Sequence, residues 1–242
     1  MKNLSQFSSI FVANWKLNGN LAFINEYLKY LKINPSEKKC VIICPQNIHL
    51  NYISTYIDNF YIGAQNISKF EKGAFTGEIS SNNLKEIGAD FCIVGHSERR
   101  EIFHETNEDV KLKATLLLKN NIIPIICIGE TIAQKNDNKT IEILTKQIFE
   151  GLPSESTYSN TIIAYEPVWA IGKGLTPTME EINSTHDKIR KINQKIKNFK
   201  ILYGGSVNVS NFIEIVNLPN VDGALIGGSS LKVEEFNQII AD

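Results

Sequence analysis

The chain lacks an excess of either charge and lacks any long apolar run. It has 25 basic and 26 acidic side chains in 242 residues, a net charge of -1. This balance gives no reason to expect nucleic acid or an anionic membrane as a partner. The apolar run from Ile122 to Ile128 is far short of the roughly 20 residues that span a bilayer. The run Ile10 to Ala13 is too short for a signal peptide, so we predict a cytoplasmic protein.

Cysteine is scarce, and its spacing excludes a simple metal site. Cys40, Cys44, Cys92 and Cys127 form no Cys-x-x-Cys pair, and no histidine flanks them at a zinc spacing. All four lie in apolar runs, which favours small buried side chains in a reducing compartment. The cysteine spacing therefore predicts no metal site.

Short apolar runs alternate with amphipathic stretches about eight times along the chain. Runs rich in Ile and Val are typical of parallel strands that are buried on both faces. The predicted strands are Ile10–Ala13, Cys40–Cys44, Tyr61–Ala64, Phe91–Val94, Ile122–Ile128, Thr161–Tyr165, Lys200–Tyr203 and Gly223–Ile226.

The stretches between the strands have the spacing of helices. Ile182, Ile189, Ile192 and Ile196 follow a capping box of Thr178 and Glu181, for example. Eight strand-helix units predict an α/β fold, a single (β/α)8 TIM barrel domain over residues 1–242 with eight parallel strands ringed by helices. The alternative is an open doubly wound sheet, which a Gly-x-Gly-x-x-Gly turn after the first strand would favour. That turn is missing.

Polar side chains follow several predicted strands where a barrel would place its active site. Asn14 and Lys16 follow the first strand, His96 the fourth and Glu166 the sixth. Glu166 meets solvent at the end of an apolar strand, so we expect desolvation to raise its pKa. A polar segment follows His96, and if it is a short helix its N-terminus would keep the imidazole neutral. Lys16 is a candidate for orienting an anionic substrate.

Two Gly-Gly turns follow the last two strands. Gly204-Gly205-Ser206 comes after the seventh strand and Gly227-Gly228-Ser229 after the eighth. Such turns let backbone N–H groups approach a ligand closely. Their position is the usual phosphate site of barrel enzymes.

Six segments together resemble the triosephosphate isomerase family over essentially the whole chain. The resemblance implies interconversion of dihydroxyacetone phosphate and D-glyceraldehyde 3-phosphate through an enediol(ate), a step of glycolysis and gluconeogenesis, without a cofactor. The matching segments are 14–19, 73–78, 94–100, 164–172, 203–207 and 222–228.

The resemblance also implies a role for each site residue. Glu166 would be the base, neutral His96 the electrophile and proton shuttle, and Lys16 the electrostatic stabiliser. Asn14 would help to place the substrate, with Glu98 near Lys16 and Cys127 behind Glu166 in supporting roles. Backbone N–H groups would hold the substrate's phosphate; they belong to Gly172, Ser206, Gly227 and Gly228.

A homodimer is implied as well, through the long loop after the third strand. This loop runs from Gln65 to Glu78 and includes Phe75, Thr76 and Gly77. In the family it docks into the partner subunit, which would place Thr76 close to the partner's Asn14 and Lys16.

Pro177 is the main departure from the family pattern, in the far hinge of a predicted lid after Glu166. Because proline fixes φ, it is expected to restrict motion of that hinge. Two alternatives to the isomerase remain: another sugar-phosphate-binding barrel, and a catalytically silent barrel kept as a binding protein. The first would share the Gly-Gly turns without His96, Glu166 and Lys16, and the second would lack a catalytic side chain.

Overall fold

The computed structural model describes residues 2–34, 38–56, 59–171 and 176–241. Within them eight parallel strands close into a barrel in sequence order, and β8 pairs with β1. The predicted parallel barrel is thus confirmed, and its closure excludes the open doubly wound sheet. The strands are β1 Ser9–Asn14, β2 Lys39–Cys44, β3 Tyr61–Ala64, β4 Phe91–Val94, β5 Ile123–Ile128, β6 Ile162–Tyr165, β7 Lys200–Tyr203 and β8 Gly223–Ile226.

Helices follow the strands and surround the barrel. The α-helices in the described residues are α1 Leu21–Tyr30, α2 Leu50–Ser54, α3 Ser81–Glu86, α4 Ser97–Ile102, α5 Asn107–Lys119, α6 Ile132–Asn136, α7 Thr140–Gly151, α8 Met179–Lys191, α9 Phe212–Val216 and α10 Val233–Ala241. Short 3₁₀ helices span Leu4–Gln6, Asn47–His49, Val168–Ala170 and Gly228–Leu231. No helix in these ranges combines the length and apolar character needed to cross a bilayer.

Alternate strand residues enter two separate apolar cores, which explains the continuous apolar runs. In β1, Ile10 and Val12 belong to the core that fills the barrel. Phe11 and Ala13 belong to the core between the barrel and the helices. Burying each large aliphatic side chain contributes roughly 1.5–3 kcal/mol. All four cysteines are free and buried in these cores, as predicted.

The predicted strand bounds agree with the structure to within one residue at either end. The capping box of α8 is also present, with Thr178 Oγ1 accepting from Glu181 N at 3.1 Å and Glu181 Oε2 accepting from Thr178 N at 2.8 Å. The apolar spacing predicts that this helix continues to Ile196. That prediction is wrong, because α8 ends at Lys191. Asn193 Oδ1 accepts from Ile196 N at 3.1 Å, a local bond that competes with helix.

Candidate active site

Seven of the predicted site residues line one cavity at the carboxyl ends of the strands, four of them beside β1, β4 and β6. Asn14 ends β1, His96 lies two residues beyond β4, and Glu166 directly follows β6. With Lys16 they line a cavity of about 320 Å³. The strands are all parallel, so these ends meet on one face, and the structure brings together residues that are far apart in the sequence.

Glu166 and His96 are in direct contact at the bottom of this cavity. Glu166 Oε1 lies 2.9 Å from His96 Nε2. The other carboxylate oxygen accepts a hydrogen bond from the backbone N–H of Ser97 at 3.0 Å. The two residues are only 1% and 5% exposed. A carboxylate and an imidazole in contact out of water can act as a general acid-base pair.

The neighbouring helix fixes the tautomer of His96. His96 precedes α4, and its Nδ1 accepts from the backbone N–H of Glu98 at 3.2 Å. A ring nitrogen that accepts a hydrogen bond carries no proton, so the proton is on Nε2, which donates a hydrogen bond to Glu166. This geometry favours the neutral imidazole that the helix N-terminus predicts from the sequence.

The contact between the two side chains moves both pKa values. Burial raises the pKa of Glu166, but the interaction with His96, together with the Ser97 N–H and Cys127, outweighs burial and holds that pKa below its ordinary value. The expectation of a raised Glu166 pKa is therefore wrong for this arrangement. The position of Glu166 at a strand end did not show which side chains would contact its carboxylate. Burial lowers the pKa of His96, and the Glu166 carboxylate outweighs burial and raises it. We still assign the neutral ring, since a proton on Nδ1 would oppose the Glu98 N–H.

Three residues behind Glu166 restrict its position. Cys127 is buried next to Glu166, and burial raises the pKa of its thiol, which keeps the thiol protonated. A Cβ on Gly129 would lie 1.8 Å from the Glu166 carbonyl oxygen, and a Cβ on Gly204 would lie 2.8 Å from Glu166 Cγ. The sequence suggested the place of Cys127 but missed Gly129, and it assigned Gly204 only to a phosphate turn. The nearness of both glycines to strand ends was the available signal.

Lys16 lines the same cavity and has an unusual backbone conformation. Its φ is +52°, in the left-handed region that non-glycine residues seldom adopt. Its Nζ lies 2.5 Å from Glu98 Oε1, and its backbone N–H donates to Asn14 Oδ1 at 3.2 Å. Glu98 therefore lies beside Lys16, as the resemblance implied. The ion pair is partly exposed, which leaves the ammonium accessible from the cavity.

Comparison with known proteins agrees with this geometry. The sequence profile described as triosephosphate isomerase matches residues 9–242. The chain is 40% identical over 242 residues to the triosephosphate isomerase of Francisella philomiragia subsp. philomiragia, covering 96% of this chain and 95% of that protein. It is also 40% identical over 243 residues to that of Alkaliphilus oremlandii, covering 96% and 98% of the two chains.

The chain belongs to the triosephosphate isomerase family. It is therefore a member of a family of isomerases built on this barrel.

The two glycine turns of this triosephosphate isomerase family member border the same cavity. Ser206, Gly227 and Gly228 line it. Ser206 Oγ donates to the carbonyl of Ala170 at 2.8 Å, which joins the turn after β7 to the segment after Glu166. A Cβ on Gly228 would meet no atom within 4 Å, so its backbone borders open space. Gly172 lies outside the described residues.

The predicted dimer loop is exposed along most of its length. Residues 71–78, with Thr76, Gly77 and Glu78 among them, are all exposed. Phe75 stacks on Phe70 with ring centroids 3.7 Å apart. Gln65, at the start of the loop, instead points back to β1 and donates to the Lys16 carbonyl at 2.9 Å. The structure thus brings Gln65 to the site and leaves the loop tip in solvent.

Proposed function

We propose that this chain interconverts dihydroxyacetone phosphate and D-glyceraldehyde 3-phosphate through an enediol(ate). The observation that carries this proposal is the buried contact between Glu166 and His96, with Lys16 on the same cavity. Moving a proton between adjacent carbons needs a base, a hydrogen-bond donor to oxygen and a cation. The three side chains supply one of each.

The reaction consists of a proton transfer from one substrate carbon to Glu166 and a second transfer from Glu166 to the neighbouring carbon. The Glu166 carboxylate removes a proton from the carbon next to the carbonyl, while His96 Nε2–H donates to the carbonyl oxygen. Electrons from the broken C–H bond move into the enediol(ate), which His96 stabilises while it exchanges protons between the two oxygens. Glu166 then returns its proton to the neighbouring carbon, so the net change is isomerisation.

Substrate entry explains how a hydrogen-bonded resting pair becomes a base and a donor. When substrate lies between Glu166 and His96, their direct hydrogen bond is replaced by bonds to substrate. The carboxylate that raised the pKa of His96 then acts on the substrate's C–H bond. The Glu98 N–H on Nδ1 continues to favour the neutral ring. A positioned acid or base of this kind contributes roughly 10²–10⁴-fold.

The remaining site residues bind the negatively charged groups at the two ends of the substrate. Lys16 stabilises the negative charge that develops on the oxygens, and Asn14 helps to place them. Backbone N–H groups of Ser206, Gly227 and Gly228, joined by Gly172, hold the phosphate. Binding at this non-reacting end can supply energy for excluding water from the reacting carbons.

We also propose that the functional unit is a cytoplasmic homodimer in which each chain is a single barrel domain. A groove of about 480 Å³ lies beside Lys16. Leu17, Ile102 and Phe103 line it, and these apolar side chains are 86%, 63% and 63% exposed. Such a patch favours a protein contact. The exposed loop of a second copy, with Phe75 and Thr76 near its tip, has the size and apolar character to fill it.

A coupled assay with each triose phosphate in turn tests the proposed reaction. We expect the purified chain to convert both substrates without an added cofactor. Binding of a triose phosphate without turnover would instead support the silent barrel. Turnover of other sugar phosphates, with no triose activity, would support another barrel enzyme.

A further inference from the structure

The left-handed backbone of Lys16 requires support from elsewhere in the fold. A non-glycine residue stays in a sparsely populated backbone region only where the surrounding structure holds it there. With φ at +52°, Lys16 keeps this conformation only if its neighbours restrain both of its peptide groups.

Two side-chain amides provide that restraint. Asn14 Oδ1 accepts the Lys16 N–H at 3.2 Å, on the N-terminal side. On the C-terminal side, Gln65 Nε2 donates to the Lys16 carbonyl at 2.9 Å and to the Cys44 carbonyl, also at 2.9 Å. An amide nitrogen has two hydrogens, so both donors of Gln65 are used.

The second bond of Gln65 ties the lysine to a rigid part of the barrel. Cys44 ends β2, is fully buried and pairs with Asn14 in the parallel sheet. The Cys44 carbonyl also accepts the Trp15 N–H at 3.1 Å. Trp15 is fully buried, and its Nε1 donates to the Ser230 carbonyl at 3.1 Å. The residue before Lys16 is therefore anchored, and Gln65 anchors the peptide after Lys16.

We infer that Gln65 is a positioning residue that holds Lys16 in its left-handed conformation and so directs its ammonium towards the cavity. The inference rests on the proposed function, in which Lys16 stabilises the negative charge that develops during isomerisation. Gln65 touches no reacting atom. Without its two donors, Lys16 relaxes towards an ordinary backbone conformation, and Nζ leaves the place that Glu98 and the cavity define.

The test compares two glutamines that have similar contacts. Gln65→Met keeps the side-chain length and removes both donors. Gln46→Met is the matched control, because Gln46 Nε2 donates to two carbonyls of the same loop, those of Asn18 and Gly19, at 3.3 and 3.1 Å. We expect Gln65→Met to lower kcat/KM by about 10²-fold, the cost of a displacement of about 1 Å in a catalytic group. The control should stay within about twofold of the original chain.

A double-mutant cycle shows whether Gln65 acts through Lys16. In a Lys16→Met background, Gln65→Met should cause no further loss of kcat/KM, because the group it positions is gone. A merely structural role would lower kcat/KM by the same factor in both backgrounds. Crystal structures supply a readout independent of activity: the φ of Lys16 should leave the left-handed region in Gln65→Met and stay near +52° in Gln46→Met.

Gln65→Lys keeps the test decisive if the methionine variant does not fold. Its ammonium carries N–H donors on a chain of similar length, so we expect Lys16 to stay left-handed and kcat/KM to stay within about tenfold of the original chain. Three results would each overturn the inference. These are full activity in Gln65→Met, equal losses of kcat/KM in Gln65→Met and Gln46→Met, and a folded but inactive Gln65→Lys in which Lys16 has left the left-handed region. No turnover by the unmodified chain would overturn the proposed function instead, while the φ of Lys16 would still report on Gln65.

Discussion

Single side chains in this barrel owe their properties to partners that are distant in sequence. Burial alone would raise the pKa of Glu166, yet contact with His96 lowers it. Strand-end position predicted which residues meet, since parallel strands share one face. It did not predict the Glu166–His96 contact or the φ of Lys16, because both depend on how loops from different strands pack.

His186 gives a prediction for stability. Burial, aided by the charge of Arg190, lowers the pKa of His186 from 6.5 to about 3. Below pH 6.5, His186 therefore binds a proton in the unfolded chain, whereas in the folded chain it stays neutral until the pH approaches 3. The contribution of the neutral ring to the free energy of unfolding is complete above pH 6.5 and is lost as the pH falls towards 3. At about 1.4 kcal/mol per pH unit, the loss by pH 5 is about 2 kcal/mol.

Replacing His186 should accordingly flatten the pH dependence of unfolding. Between pH 7 and pH 5, the free energy of unfolding of His186→Leu should fall by about 2 kcal/mol less than that of the original chain. Urea unfolding at one protein concentration measures this. His104→Asn is the control, since His104 is exposed with φ +56°, a conformation that asparagine tolerates. Equal pH slopes for the original chain and His186→Leu would contradict the argument.

At the scale of elements, the sequence predicted the strands well because alternate residues enter two apolar cores. It was less successful at helix ends, where Asn193 stops α8 short of Ile196 through a local hydrogen bond. It also could not show which glycines pack against Glu166 at the end of β6. Gly204 is such a case, because a turn glycine looks the same in sequence whether it borders a ligand or a side chain.

A methyl group at Gly204 should displace Glu166. Its Cβ would lie 2.8 Å from Glu166 Cγ and 3.3 Å from the Tyr165 carbonyl oxygen. The 2.8 Å contact is too close to persist and the 3.3 Å contact is tight, and the Glu166 side chain is the group that can move. We expect Gly204→Ala to lower kcat/KM on the order of 10²-fold.

Gly151→Ala is the control for that change, because the nearest contact of its Cβ would be an ordinary 3.7 Å. Steady-state kinetics and thermal unfolding of both variants make the comparison. Unchanged kinetics in Gly204→Ala would show that Glu166 is not held from this side.

At the scale of the whole molecule, the exposed loop 71–78 and the apolar groove beside Lys16 predict that two chains associate. Thr76→Arg should weaken that association, because it brings a cation towards the partner's Lys16. Sedimentation should show the original chain as a dimer at micromolar concentration and the variant shifted towards monomer, with activity that rises with protein concentration.

Ser154→Arg, at an exposed position after α7, adds the same charge away from the groove and should remain dimeric. A monomer with full activity would rule out the proposed functional dimer.

Glu166 is, in the proposed mechanism, the base that moves the proton. Glu166→Gln keeps the shape of the side chain and removes the basic oxygen, whereas Glu214→Gln makes the same change at an exposed position of α9. The most direct measurement is kcat for triose phosphate isomerisation by these two variants and the original chain. We predict that Glu166→Gln loses roughly 10²–10⁴-fold while Glu214→Gln keeps the original rate. Equal rates in all three proteins would contradict the account.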